Sequence, residues 1–418
     1  MNTRQIIKIL VVSALLGAII GLASSIFIWL YKEGTNLIWT KAIPGAINRP
    51  LAVISIALVG GLLLGLCIKF FGTNKGIGVE AVLGAASKDG GILTYQIPRV
   101  VLNTLIGLLT GASVGPEAPT MTLGGYLGDR LARLLKVTKE QLMAFIAISL
   151  GSSLSILVES PIAGPILITE QQPTKDKKIN VLLVMATLIA SSIGFGVYLE
   201  VKHGLLTGLT LVPAYPKFRF IDLLYALILG FIGFFLGYVL KIIITDISRF
   251  FQKYFHRFPI TRGLIVGLLI GVIGAIWPLV LFDGSGQLHQ LLSTVGQYSI
   301  LMLFVLGIMR IITTGVALGG GYQGGNIFPT IFFCGAIGLA INAMIPAIPA
   351  SVAMVTLMVS ATYMFLRFPL LCIFLYTELS STSLIPAMAI ALIGGYVIVN
   401  LISIKDTSTS SDQVQSSS

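Results

Sequence analysis

Seven stretches of this chain carry no charged residue over roughly the length needed to cross a bilayer: residues 9–31, 51–68, 141–158, 181–199, 223–240, 264–282 and the long block 311–366. One membrane-spanning helix takes about 20 apolar residues, so the last block has room for more than one span. Charged residues make up 10% of the 418 and hydrophobic ones 56%. An ordinary soluble domain is about 25% charged. A soluble core has no use for so much apolar surface. The expected class is therefore an all-α polytopic membrane protein, multi-pass in the cell membrane, with the lipid bilayer as its solvent.

The formal net charge is +11. In a membrane protein such an excess orients the chain through its cytoplasmic loops, and it does not point to nucleic acid. It also favours anions near the surface. Cys67, Cys334 and Cys372 lie in apolar runs and read as small packing residues. His203, His256 and His289 are scattered without metal-ligand spacing. Neither a metal nor another cofactor is expected. The first apolar run is too long for a signal-peptide core and lacks a clean cleavage site, so it reads as a retained span.

Polar segments punctuate the apolar ones at 32–49, 136–140 and 171–178. The segment 241–262, with Arg249, Lys253, Arg257 and Arg262, reads as a basic cytoplasmic connection. The tail 405–418 is Ser/Thr-rich and short, and reads as disordered, without a regulatory domain. Glycine is frequent inside the apolar runs, as in GGLLLG at 60–65 and GGGYQGG at 319–325. Small residues let membrane helices approach closely, and they let backbone turn where helices break at mid-membrane.

Two blocks recur in the same order. GPEAPTMTLGGYLG at 115–128 and GNIFPTIFFCGAIG at 325–338 share Gly, Pro, Thr, Gly and Gly at a constant offset of 210. SPIAGPILITE and FPLLCIFLYTE, ending at Glu170 and Glu378, match at an offset of 208. The echo predicts two structural halves, 1–210 and 211–404. Each glycine-to-proline block places irregular backbone just ahead of an apolar helix, and proline is tolerated in a first helical turn. The prediction is a pair of broken helices whose N-termini converge near the midplane. Free N–H groups there carry about half a positive charge, so an anion is the natural guest. Glu117, in the first turn of the first of these helices, reads either as a tethered anion that occupies the seat and leaves on protonation, or as a helix-capping carboxylate near a surface. A carboxylate in a membrane costs about 3 kcal/mol on insertion scales, which favours a functional role.

These stretches resemble the CLC family of chloride channels and proton/chloride antiporters, over nearly the whole apolar region. GPEAP at 115–119 resembles the family's G-K/R-E-G-P motif, which identifies Glu117 with the gating glutamate. GNIFP at 325–329 resembles G-x-F-x-P, with phenylalanine one place late and Ile327 at its usual position. SPIAGPILITE resembles the segment ahead of the family's internal proton-transfer glutamate. The resemblance implies an inverted repeat with broken, re-entrant helices, a homodimer, and one anion pathway per subunit. It implies an anion-facing set of Gly115, Pro116, Glu117, Ala118, Ile327 and Phe328. To these it adds Lys75, Gly76 and Ile77, from the stretch matching the family's G-S-G-I-P.

The departures are chemical. Lys75 stands where the family has its central serine, and Gly78 stands where it has proline. An ammonium there either binds the ion more tightly or pairs with deprotonated Glu117 and locks the route. Gln171 stands at the inner proton-site position, where it cannot carry a proton, and Glu170 is one place off. No clean match to the family's last-helix tyrosine is present; Tyr396 is a poor substitute. The expected function is chloride transport gated by Glu117 and coupled, at most loosely, to protons. The alternatives are a carrier for another anion such as fluoride, or a plugged, non-transporting membrane protein. An enzyme is not expected, because Glu80, Glu159 and Glu200 share no spacing that would pair them.

Overall fold

A computed structural model describes residues 3–72, 96–171, 181–202, 211–215 and 217–397. Lys75, Gly76, Ile77, His203 and the 405–418 tail lie outside these. The described residues form helices and short turns, with one isolated β-bridge and no strand. Eight helices among them are long and apolar enough to cross a membrane: Ile6–Ala42, Pro50–Phe71, Lys139–Leu157, Val181–Val201, Ile221–Phe255, Pro259–Ile276, Ile300–Gly320 and Ile327–Met344.

In chain order the α-helices are α1 (Thr3–Asn36), α2 (Pro50–Phe71), α3 (Gln96–Leu109), α4 (Glu117–Leu134) and α5 (Lys139–Leu157). Next come α6 (Ala163–Gln171), α7 (Val181–Lys202), α8 (Ile221–Phe255), α9 (Pro259–Ile276) and α10 (Ser285–Ser293). The last are α11 (Ile300–Gly320), α12 (Ile327–Met344), α13 (Ala350–Leu366), α14 (Pro369–Glu378) and α15 (Thr382–Val397). The uncharged block 311–366 resolves into the end of α11 and all of α12 and α13. The basic segment 241–262 is not a loop. Residues 241–255 continue α8, and only a short turn separates them from α9. Lys, Arg and Gln are good helix formers, so polarity alone does not end a helix.

Large apolar side chains face outward, among them Leu51 on α2 and Phe235 on α8. Lipid, not water, suits such a surface. Inside, α2 packs along α9 at very short range. A Cβ on Gly263 would lie 2.1 Å from the Gly61 carbonyl oxygen, so these two backbones touch only because neither position carries a side chain. The three cysteines are buried and free.

Where helices break inside the protein, each freed backbone group needs a partner. Buried polar side chains supply several. Asn103 on α3 accepts from the Gln323 N–H (2.8 Å) and donates to the Gly321 carbonyl (3.2 Å). Arg310 on α11 donates to the Val280, Leu281 and Phe282 carbonyls, each at 2.8 Å, while its guanidinium lies 5.1 Å from the Phe332 ring centroid. Arg262 on α9 donates to the Gly320 and Gly319 carbonyls at the end of α11. Ser113 and Thr314 share a buried 2.6 Å hydrogen bond.

Candidate functional site

Helices α4 and α12 both begin inside the molecule, and the irregular backbone ahead of each runs toward the other. Gly115 N–H donates to the Gly325 carbonyl and Gly325 N–H donates to the Gly115 carbonyl, both at 2.8 Å. This antiparallel bridge satisfies four backbone groups at the point where the helices break, and it brings the two electropositive starts side by side. The matched threonines make the same contact at each helix start. The Thr120 hydroxyl donates to the Pro116 carbonyl and the Thr330 hydroxyl to the Asn326 carbonyl, each at 2.7 Å.

Glu117 is the first residue of α4 and only 1% exposed. Its Oε1 accepts from the Phe328 N–H at 2.9 Å, 211 residues further along the chain. Its Oε2 has no hydrogen-bond partner among the described residues. That oxygen fills the hollow left by the two glycines: a Cβ on Gly115 would lie 1.8 Å from it, and one on Gly325 1.7 Å. The hollow admits one carboxylate oxygen beside the two helix starts and is too narrow for a side chain on either glycine. Pro116 and Ala118 are buried on the α4 side, and Ile327 is buried beside Phe328 on the α12 side. The structure thus brings together six of the residues singled out in the sequence: Gly115, Pro116, Glu117, Ala118, Ile327 and Phe328.

Two cavities flank this hollow. One, of about 320 Å³, is lined by Pro116, Glu117, Ile327 and Phe328, and also by Glu159, Asp283, Glu378 and Lys32. The other, of about 510 Å³, reaches Gly324 and Asn326 from the other end of α14, where Arg367 lies. Glu159, Asp283 and Glu378 share one cavity although they are scattered in the sequence. The sequence offered Glu378 through its match with Glu170 and Glu159 only as a carboxylate without a pairing spacing; the fold corrects the latter, because Glu159 lines one cavity with Glu117, Asp283 and Glu378. Asn103 left no trace, since a single asparagine in an apolar helix does not reveal what it bonds.

Glu170 and Gln171 close α6. The Glu170 carboxylate accepts from the Leu370 (2.7 Å) and Leu371 (2.8 Å) N–H groups at the start of α14. At the other end of the pair, Glu378 accepts from the Ser160 hydroxyl at 3.2 Å, just ahead of α6. The two glutamates matched at offset 208 therefore reach across one helix pair in opposite directions. Tyr396 is exposed and lines neither cavity. Tyr376, which the sequence did not single out, is buried and hydrogen-bonded to Thr362.

The fold matches solved structures over nearly its full length. A slow cyanobacterial Cl-/H+ antiporter superposes with a TM-score of 0.78 at 21% identity, covering 96% of this chain and 95% of that one. A CLC-type fluoride/proton antiporter gives 0.76 at 17% identity, covering 95% and 96%. A protein of Shigella flexneri described as "Putative ion-transport protein YfeO" is 24% identical over 399 residues, 91% of each chain. The profile of the family described as voltage gated chloride channel matches residues 60–400. The chain belongs to the voltage gated chloride channel family, whose members carry anions across membranes.

Proposed function

We propose that the protein moves a small anion, chloride first, across the membrane through the point where α4 and α12 meet, with Glu117 as the gate. The observation that carries this reading is the position of the Glu117 carboxylate. It fills the glycine-lined hollow and takes the Phe328 N–H that a bound anion would use. A deprotonated Glu117 and a chloride ion compete for one seat. Protonation removes the carboxylate's charge, weakens its hold on the helix dipoles and frees the seat. The same carboxyl group then carries a proton. With Gln171 at the inner position, that proton has no matching carboxylate to pass to there, and Glu170 is engaged as the cap of α14. Proton movement is therefore proposed to be loosely coupled to the anion.

The proposal extends to the assembly: a homodimer, each chain built of the halves 1–210 and 211–404. The matched roles of Thr120 and Thr330, and of Glu170 and Glu378, support the two halves. The experiment is chloride efflux from proteoliposomes with simultaneous proton recording on wild type, Glu117→Gln and Lys75→Ser. Glu117→Gln should pass chloride without its pH response and without proton movement. Unchanged pH-dependent flux in Glu117→Gln would remove Glu117 from the gate. Wild type without flux that gains it in Lys75→Ser would mark Lys75 as a plug. A fluoride arm in the same assay settles which halide the seat prefers.

A further inference from the structure

The two cavities beside the seat carry opposite charge. The cavity at Glu117 holds four carboxylates and one lysine among its lining residues. The larger cavity holds Arg99, Lys241, Arg262 and Arg367 and no carboxylate among the described lining residues. Lys241, Arg262 and Arg367 have no acidic partner among the described residues, whereas the surface arginines Arg133, Arg219 and Arg249 all do. Arg262 is nearly fully buried, held by two backbone carbonyls and set over the Phe251 ring at 5.4 Å. Lys241 and Arg367 are exposed to the open cavity and Arg262 lies in its wall, and positive charge concentrated in a cleft without an acidic partner among the described residues draws anions to it.

The wall is more than charge. Lys241, Thr245, Ser248 and Gln252 form one polar stripe along α8 at helical spacing, and all four line the cavity. Asn103, Gln323 and Asn326 line the same cavity and add amide groups to it. A halide needs neither three unpaired cations nor a rim of amides and hydroxyls. At 510 Å³ the cavity falls within the range of about 300–1,000 Å³ that holds small-molecule ligands.

We infer that this cavity is a binding site for a multivalent oxyanion, a phosphate or polycarboxylate, held by Lys241, Arg262 and Arg367. Such an ion is too large for the hollow between Gly115 and Gly325, so it sits in the mouth and blocks the route beyond. Binding itself does not depend on transport; the blockade rests on the anion pathway proposed above.

The probe is inorganic pyrophosphate, titrated calorimetrically into the full-length protein in detergent at low salt. Wild type should bind it, with sulfate competing and chloride competing weakly. The double variant Lys241→Gln/Arg367→Gln should bind about tenfold or more weakly. Arg249→Gln removes one charge from the same helix outside the cavity and should bind as wild type does. Absence of wild-type binding would overturn the site. So would equal binding by all three proteins, which would mean diffuse charge attraction. If the double variant aggregates, either single substitution at these exposed positions should still weaken binding about threefold, and unaltered affinity in both would overturn the proposal. In proteoliposomes, pyrophosphate on the cavity side should inhibit chloride efflux. Binding without any wild-type flux would leave the site standing and count against the transport reading alone.

Discussion

Gly115 and Gly325, 210 residues apart, exchange two backbone hydrogen bonds of 2.8 Å and hold one carboxylate oxygen of Glu117 between their α-carbons. A methyl group at either position would collide with that oxygen, at 1.8 Å from Gly115 and 1.7 Å from Gly325. Gly115→Ala and Gly325→Ala should each expel the Glu117 side chain while keeping the backbone bridge, since neither glycine requires a positive φ. Both variants should lose most of the pH response of anion flux in proteoliposomes. A wild-type pH response in either would show that the carboxylate does not need the hollow.

The hydrogen bond between Ser113 and Thr314 ties the broken segment ahead of α4 to α11 inside the protein. Ser113→Ala should cost about 1–3 kcal/mol by leaving a buried hydroxyl short of a partner. Thr314→Val should cost a similar amount, and the double variant should cost less than the sum. Midpoints of denaturant unfolding in detergent test this, with additive losses as the contrary result.

Much of this site was legible in the sequence because its parts are small, rigid and local. The two glycine-to-proline blocks, spaced alike from Gly115 and Gly325, mark helix starts, and the starts fix where the N–H groups point. Glu117 stood out because carboxylates are rare in apolar surroundings. The helical continuation through Lys241 to Phe255 was not legible, since a charged stretch reads as a connection until its helical stripe is seen against a wall. Arg310 was equally hidden. Its partners are backbone carbonyls about 30 residues away, and backbone groups leave no mark in a sequence. The set of Glu159, Asp283 and Glu378 depends on the folding of three distant turns.

Arg310 offers a direct test of how the broken backbone is held. It is fully buried and serves three carbonyls at once. Arg310→Met should destabilise the protein by about 3 kcal/mol or more, because buried acceptors are left unmatched. Arg310→Lys should recover only part, since a compact ammonium cannot reproduce the planar fork. Thermal melting in detergent reads both; a melting point equal to wild type in Arg310→Met would show that those carbonyls find other partners.

Under the function proposed above, the paired starts of α4 and α12 form an anion seat, and the Glu117 carboxylate fills that hollow in the structure. Crystals of Glu117→Ala grown with bromide test this seat most directly, by anomalous scattering. A bromide peak should lie in the hollow between Gly115 and Gly325, within hydrogen-bond distance of the Phe328 N–H. A hollow left empty while bromide is found elsewhere along the chain would contradict it.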